Sequence, residues 1–137
     1  MNTRQRTCAA LLTLALLGQP VLAQGLLDEA TVQILVEAVE AAAEVDLYNA
    51  RCRSDQSGRR TENLNKILAG RFRITVIGVQ DKFFPERSYR KAQERIQNVF
   101  LERLKTAGGC ADAKTGGLRE ALEARQRDTQ AAIEALP

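Results

Sequence analysis

Apolar residues recur at three- and four-residue intervals along most of the chain, the pattern of helices that each bury one face. Over residues 28–53, Val32, Leu35, Val36, Val39, Ala43 and Leu47 share a stripe, with Asp28 and Glu29 at the end where a helix dipole favours negative charge. The turn formers Ser54, Asp55, Gln56, Ser57 and Gly58 then break the pattern. A second helix is expected over residues 61–84, where Leu64, Leu68, Phe72, Val76, Val79 and Phe83 are in phase and Ile67, Ile74 and Ile77 widen the stripe. The β-branched run at residues 74–77 also suits a strand. No other segment offers it a partner, and a lone strand leaves its backbone groups unpaired, so the run is assigned to the helix.

Pro85 suits the first turn of a third helix over residues 85–106. Tyr89, Ala92, Ile96, Val99, Phe100 and Leu104 form its apolar side, and Glu86 is spaced to pair with Arg90. Gly108 and Gly109 tolerate the left-handed conformation that ends a helix. After a loop at residues 111–117, with Thr115 as the cap, a fourth helix is expected over residues 118–136. Leu118, Ala121, Leu122, Ile133 and Leu136 mark its inner side, and its polar centre, residues 125–130, is expected to be the most exposed part of the fold. The pattern predicts an all-α protein: a small, irregular antiparallel bundle of four helices.

The first residues read differently. Arg4 and Arg6, an apolar run over residues 9–17, a break at Gly18, Gln19 and Pro20, and then Val21, Leu22 and Ala23 make a secretory signal pattern. Residues 1–23 are therefore expected to be a signal peptide cleaved before Gln24, leaving residues 24–137 as a single helical domain of a periplasmic or secreted protein. The apolar run is too short to span a bilayer. Cys8 precedes that run, whereas a lipidation cysteine follows it, so no stable membrane anchor is expected after cleavage.

Cleavage also changes the charge. The whole chain carries +3; without Arg4 and Arg6 it keeps 18 bases and 17 acids, a net charge of +1. Bulk charge thus gives no support to nucleic-acid binding. The distribution says more: residues 24–50 hold six acids and no base, while residues 51–105 hold fourteen bases and six acids. Glu37, Glu40 and Glu44 make the polar face of the first helix purely acidic, which calls for a basic neighbour. The expectation is that the first helix packs against the basic middle.

Two cysteines remain after processing, Cys52 and Cys110, and their spacing fits no zinc pattern in a chain without histidine. A disulfide between them is expected. Closing so long a loop is worth roughly 4 kcal/mol on the chain-entropy model.

Residues 51–63 are the most unusual stretch. Arg51, Arg53, Arg59 and Arg60 surround a turn beside the expected disulfide, at the start of a helix whose free N–H groups attract anions. Guanidinium groups make forked hydrogen bonds to carboxylate or phosphate. The candidate partner-binding residues are Arg51, Arg53, Asp55, Arg59, Arg60, Glu62 and Asn63. The competing reading is that Asp55, Glu62 and the acidic first helix satisfy these arginines internally. Tyr48, Asn49, Asn63 and Asn65 are placed to form a polar, structural cluster near the disulfide. Phe83, Phe84 and Tyr89 gather aromatics at one corner, expected to be core where two helices meet.

The absences narrow the function. Without histidine there is no ordinary Ser-His or Cys-His nucleophile and no usual zinc or haem ligand set; glycine loops that cradle phosphate are missing as well. No catalytic residue, cofactor or metal is expected. The leading expectation is an exported binding or inhibitory protein of the cell envelope acting through the basic loop, its partner another envelope or secreted protein, or an anionic ligand. A helical carrier or chaperone for apolar ligands, with a groove between the second and third helices, stands second. A small hydrolase using a carboxylate pair such as Glu62 with Asp55 or Asp81 stands last.

Overall fold

The computed structural model describes residues 27–137, so the expected signal peptide lies outside the described residues. Those residues form six helices and no strand: α1 Glu29–Cys52, α2 Arg59–Phe72, α3 Val76–Lys82, α4 Tyr89–Thr106, α5 Cys110–Thr115 and α6 Leu118–Ala135. The all-helical class and the Cys52–Cys110 disulfide are as expected, with the two Cα atoms 5.3 Å apart. The helix count is six rather than four, for reasons that lie in particular residues.

The second expected helix is divided. Arg73 adopts a left-handed conformation (φ 56°) and ends α2. Two side chains then restart the chain as α3: the Thr75 hydroxyl oxygen accepts the N–H of Gly78 at 3.0 Å, and Asn65 Oδ1 accepts that of Val76 at 2.9 Å. Gly78 suits the tight restart, because a Cβ at this position would lie 2.9 Å from Ile74 Cγ1 and force that side chain to shift. The β-branched run therefore spans a helix break instead of continuing a helix.

The third expected helix starts four residues late, at Tyr89. Residues 83–88 turn instead, with Arg87 left-handed (φ 48°), and Asp81 Oδ1 accepts the N–H of Tyr89 at 2.7 Å to open α4. Gly108 and Gly109 do take positive φ at its end. The expected loop at residues 111–117 contains the short helix α5, and Thr115 does not cap α6; its hydroxyl donates to the Asp112 carbonyl oxygen.

Side-chain contacts fix the directions of the long helices. Glu40 and Glu44 on α1 meet Arg95 and Arg103 on α4 in ascending order, so α4 runs with α1. On α6 the order is reversed: Leu122 packs near Tyr48, Arg125 meets Glu44 and Glu40, and Ile133 packs near Leu35. Helix α2 also opposes α1, starting beside Asp46 and ending where Arg71 donates to the carbonyl oxygens of Ile133 and Leu136 at the end of α6. Successive long helices thus alternate in direction, the short-loop solution for amphipathic segments.

Helix α1 is the axis of the fold. Ala38, Ala41 and Ala42 are buried and small enough to let neighbours approach closely, and two apolar stripes leave α1 on different sides. One, through Leu35, Val39 and Ala42, joins Leu64, Leu68, Val76, Val79, Phe84, Ile96 and Ile133. The other, through Val45 and Tyr48, joins Phe100, Leu104, Ala113 and Leu122 against the disulfide. Phe84 is fully buried, while Phe83 and Tyr89 are partly exposed, so the aromatic corner is core at its centre.

Beside these cores runs a chain of alternating charges. In spatial order Glu86, Arg95, Glu40, Arg125, Glu44 and Arg103 each touch the next. The Glu44 carboxylate, 4 % exposed, accepts from Arg103 and Arg125 at 2.9 Å each. The basic neighbours that the acidic face of α1 requires therefore come from α4 and α6. The centre of α6 is correspondingly not the most exposed part of the fold: Gln126 is buried and Arg125 sits against α1. Glu86 pairs with Arg95 rather than Arg90, whose guanidinium instead lies over the Tyr89 ring.

Candidate binding site

The turn between α1 and α2 is built from its own polar groups. Arg53 closes α1 with its N–H on the Asn49 carbonyl oxygen, and the N–H of Asp55 reaches the same oxygen at 3.1 Å. Ser54 turns the chain with φ 54°, Gln56 Nε2 donates to the Ala50 carbonyl oxygen, and Gly58 adopts the left-handed conformation before α2. The Asp55 carboxylate accepts the Ser57 N–H at 3.0 Å. That hydrogen bonding, helped by the positive charges of Arg59 and Arg53, holds the Asp55 carboxyl below its ordinary pKa.

The helix N-terminus beside this turn is already filled. Gly58 offers no side chain, and Asp46 on α1 supplies the cap, accepting the N–H groups of Arg60 at 3.1 Å and Thr61 at 2.8 Å. The expectation that these N–H groups attract an external anion is thereby corrected, because an internal carboxylate takes the position.

The arginines fare differently. Arg51, Arg53, Arg59 and Arg60 are all exposed, and among the described residues none forms a salt bridge. Residues 1–26 contain no acidic side chain. The Arg53 guanidinium makes one hydrogen bond, to Asn49 Oδ1 at 3.3 Å. The acids expected to neutralise them are engaged elsewhere: Glu40 and Glu44 with Arg95, Arg103 and Arg125, and Glu62 with Lys66 at 2.8 Å. Asn63 is exposed and Asn65 caps α3, so the expected cluster of Tyr48, Asn49, Asn63 and Asn65 does not assemble. The three carboxylates weighed for hydrolysis serve separate structural roles, Asp55 in its turn, Glu62 with Lys66 and Asp81 at the start of α4. Among the described residues no three His, Cys, Asp or Glu side chains converge as metal ligands.

One wall of this loop faces a groove of about 290 Å³ that the sequence did not disclose. Val39, Ala43, Leu47 and Ala50, one stripe of α1, form an apolar floor, which Val76 and Ile96 extend. Asp55, Gln56 and Gly58 bound one side, and Gln93 and Gln97 on α4 bound another. Gln80 on α3 also lines it; this side chain is 1 % exposed and its Oε1 has no hydrogen-bond partner. A second depression of about 640 Å³, along α4 and Leu118, is larger but more open to solvent, and no buried polar atom without a partner belongs to its lining residues.

No family model, no curated protein and no solved structure matches the chain.

Proposed function

We propose that the chain is an exported binding or inhibitory protein of the cell envelope, docking an acidic surface of another envelope or secreted protein through the loop at residues 51–60. One observation carries the reading: the arginines of this loop stay exposed and unpaired, while Arg95, Arg103 and Arg125 on the same molecule are consumed by carboxylates. Unpaired guanidinium groups fixed near a disulfide and a capped helix keep their forked donors available to a partner's carboxylates. A long-range disulfide, and described helices none of which is long and apolar enough to cross a membrane, are compatible with export.

The test is capture of envelope and secreted proteins by the wild type and by the Arg59→Glu, Arg60→Glu double variant, each verified as folded by circular dichroism. A partner held by the wild type and lost by the variant supports the reading; a partner held equally by both refutes the loop as the site. A carrier for small apolar ligands is the second reading, favoured by the apolar floor of the adjoining groove.

A further inference from the structure

The groove beside the loop has an aliphatic floor, Val39, Ala43, Leu47 and Ala50, and its charged lining is of one sign. Asp46 and Asp55 are the charged residues that line it; the other polar lining residues are neutral, and none is basic. Most other acids that face a neighbour in this molecule are matched: Glu40, Glu44, Glu62, Glu86 and Glu123 each form a salt bridge. Among the described residues Asp46 and Asp55 form none. The groups that they do hold, the N–H of Arg60, Thr61 and Ser57, are neutral donors. Such a donor takes up a lone pair without cancelling the charge, and an ionised carboxylate offers about four acceptor positions.

Two positive influences act on these carboxylates. The start of α2 offsets part of the Asp46 charge through the helix dipole, and Arg59 and Arg53, which do not line the groove, act on Asp55 from beside it. Neither supplies a cation within the groove. An occupant is therefore selected by an aliphatic body for the floor and a positive charge for the wall. A fatty acid meets the first and brings a like charge to the second. The volume, about 290 Å³, holds a slender chain; a helix, about 10–12 Å across, is too wide.

We infer that the groove binds a small aliphatic amine, with its hydrocarbon chain along the floor and its ammonium group on the carboxylates of Asp46 and Asp55. An ammonium group carries three donors and no acceptor, which matches a wall of carboxylates. This site goes beyond the protein-docking reading of the loop arginines and does not depend on it.

Three probes of equal chain length test it by NMR titration of the intact, disulfide-closed protein: hexylammonium, hexanol and hexanoate. Hexylammonium should shift the methyl resonances of Val39, Leu47 and Val76 and bind about fivefold more tightly than hexanol, the order of two partly exposed ion pairs; hexanoate should bind most weakly. Asp46→Asn and Asp55→Asn keep an acceptor for the N–H groups that the carboxylates hold. Each should reduce the preference for the amine, and the double variant should abolish it while hexanol still binds. Arg59→Glu with Arg60→Glu should strengthen amine binding, the opposite of its expected effect on an acidic protein partner, so the two readings fail separately.

Equal binding of hexylammonium and hexanol, a preference that survives the double Asn variant, or groove methyl resonances that stay fixed at millimolar amine would each overturn the inference. A capped lysine, with its two backbone amides, should bind more weakly than hexylammonium. If it binds more tightly, the occupant is a partner's side chain and the assignment to a small amine is wrong.

Discussion

The Asp46 carboxylate near the end of α1 accepts the Thr61 N–H at 2.8 Å, and through its other oxygen the Arg60 N–H, so one helix caps the next. Asn65 does the same for α3 and Asp81 for α4, each reaching a helix other than its own. These long-range caps join local helix ends to the tertiary fold, and they fix where the arginine-bearing turn sits.

Asp46→Ala should therefore cost about 1–2 kcal/mol, the range for loss of a helix cap, measured by urea unfolding. Hydrogen exchange at the Arg60 and Thr61 amides should speed up first, because these are the donors left without an acceptor. Asp46→Asn, which keeps an acceptor oxygen, should cost less.

Glu44 is the most buried member of the charge chain and serves two arginines. Removing one partner of a fully buried ion pair costs several kcal/mol, but Arg103 and Arg125 keep side-chain exposures of 40 % and 36 % and can turn to solvent. Glu44→Ala should accordingly destabilise by about 2 kcal/mol in thermal or urea unfolding. Glu37→Ala, on the exposed face of the same helix, should stay within about 0.5 kcal/mol.

The disulfide bridges a sequence separation of 58 residues and packs against Tyr48, Phe100 and Leu104. Replacing Cys52 and Cys110 by serine should lower the unfolding free energy by about 2–4 kcal/mol. A loss under about 1 kcal/mol would mean that the bundle, not the cross-link, holds these helix ends together.

Acid sensitivity should pass through Glu86. Burial alone would raise its carboxyl pKa, yet the Arg95 guanidinium more than offsets this and holds it below the ordinary 4.5. A group whose pKa is lower in the folded state contributes stability above its unfolded value and loses it as pH falls through the folded one. Unfolding free energy should thus be insensitive to this group at neutral pH and decline below about pH 4.5. Glu86→Gln should flatten part of that decline in a series of unfolding curves.

The apolar periodicity made α1, α4 and α6 legible, and the cysteine pair made the clamp legible, because both signals are carried by residue type and spacing. The break at Arg73 was hidden: no Gly or Pro marks it, and Asn65, which helps restart the helix at Val76, stands eleven positions earlier. The polar centre of α6 was misread because Arg125 looks like a surface residue until α1 supplies Glu40 and Glu44. The acidic face of α1 was the available clue, and the basic middle did provide Arg95 and Arg103. The arginine turn was visible as composition; that its arginines remain unpaired was not, since it depends on where every other acid goes. The groove was invisible, as it needs Val39, Gln80 and Ile96 from three separate helices.

The claim on which the function rests is positional: acidic partners should meet the arginines at residues 51–60, not basic charge in general. Two double variants with the same change in net charge separate these alternatives, Arg59→Glu with Arg60→Glu, and Lys91→Glu with Arg127→Glu on exposed positions of α4 and α6. In a titration with a synthetic oligoglutamate peptide, the loop variant should lose at least about tenfold in affinity while the other stays within about threefold of the wild type. Equal losses in both variants would contradict the account.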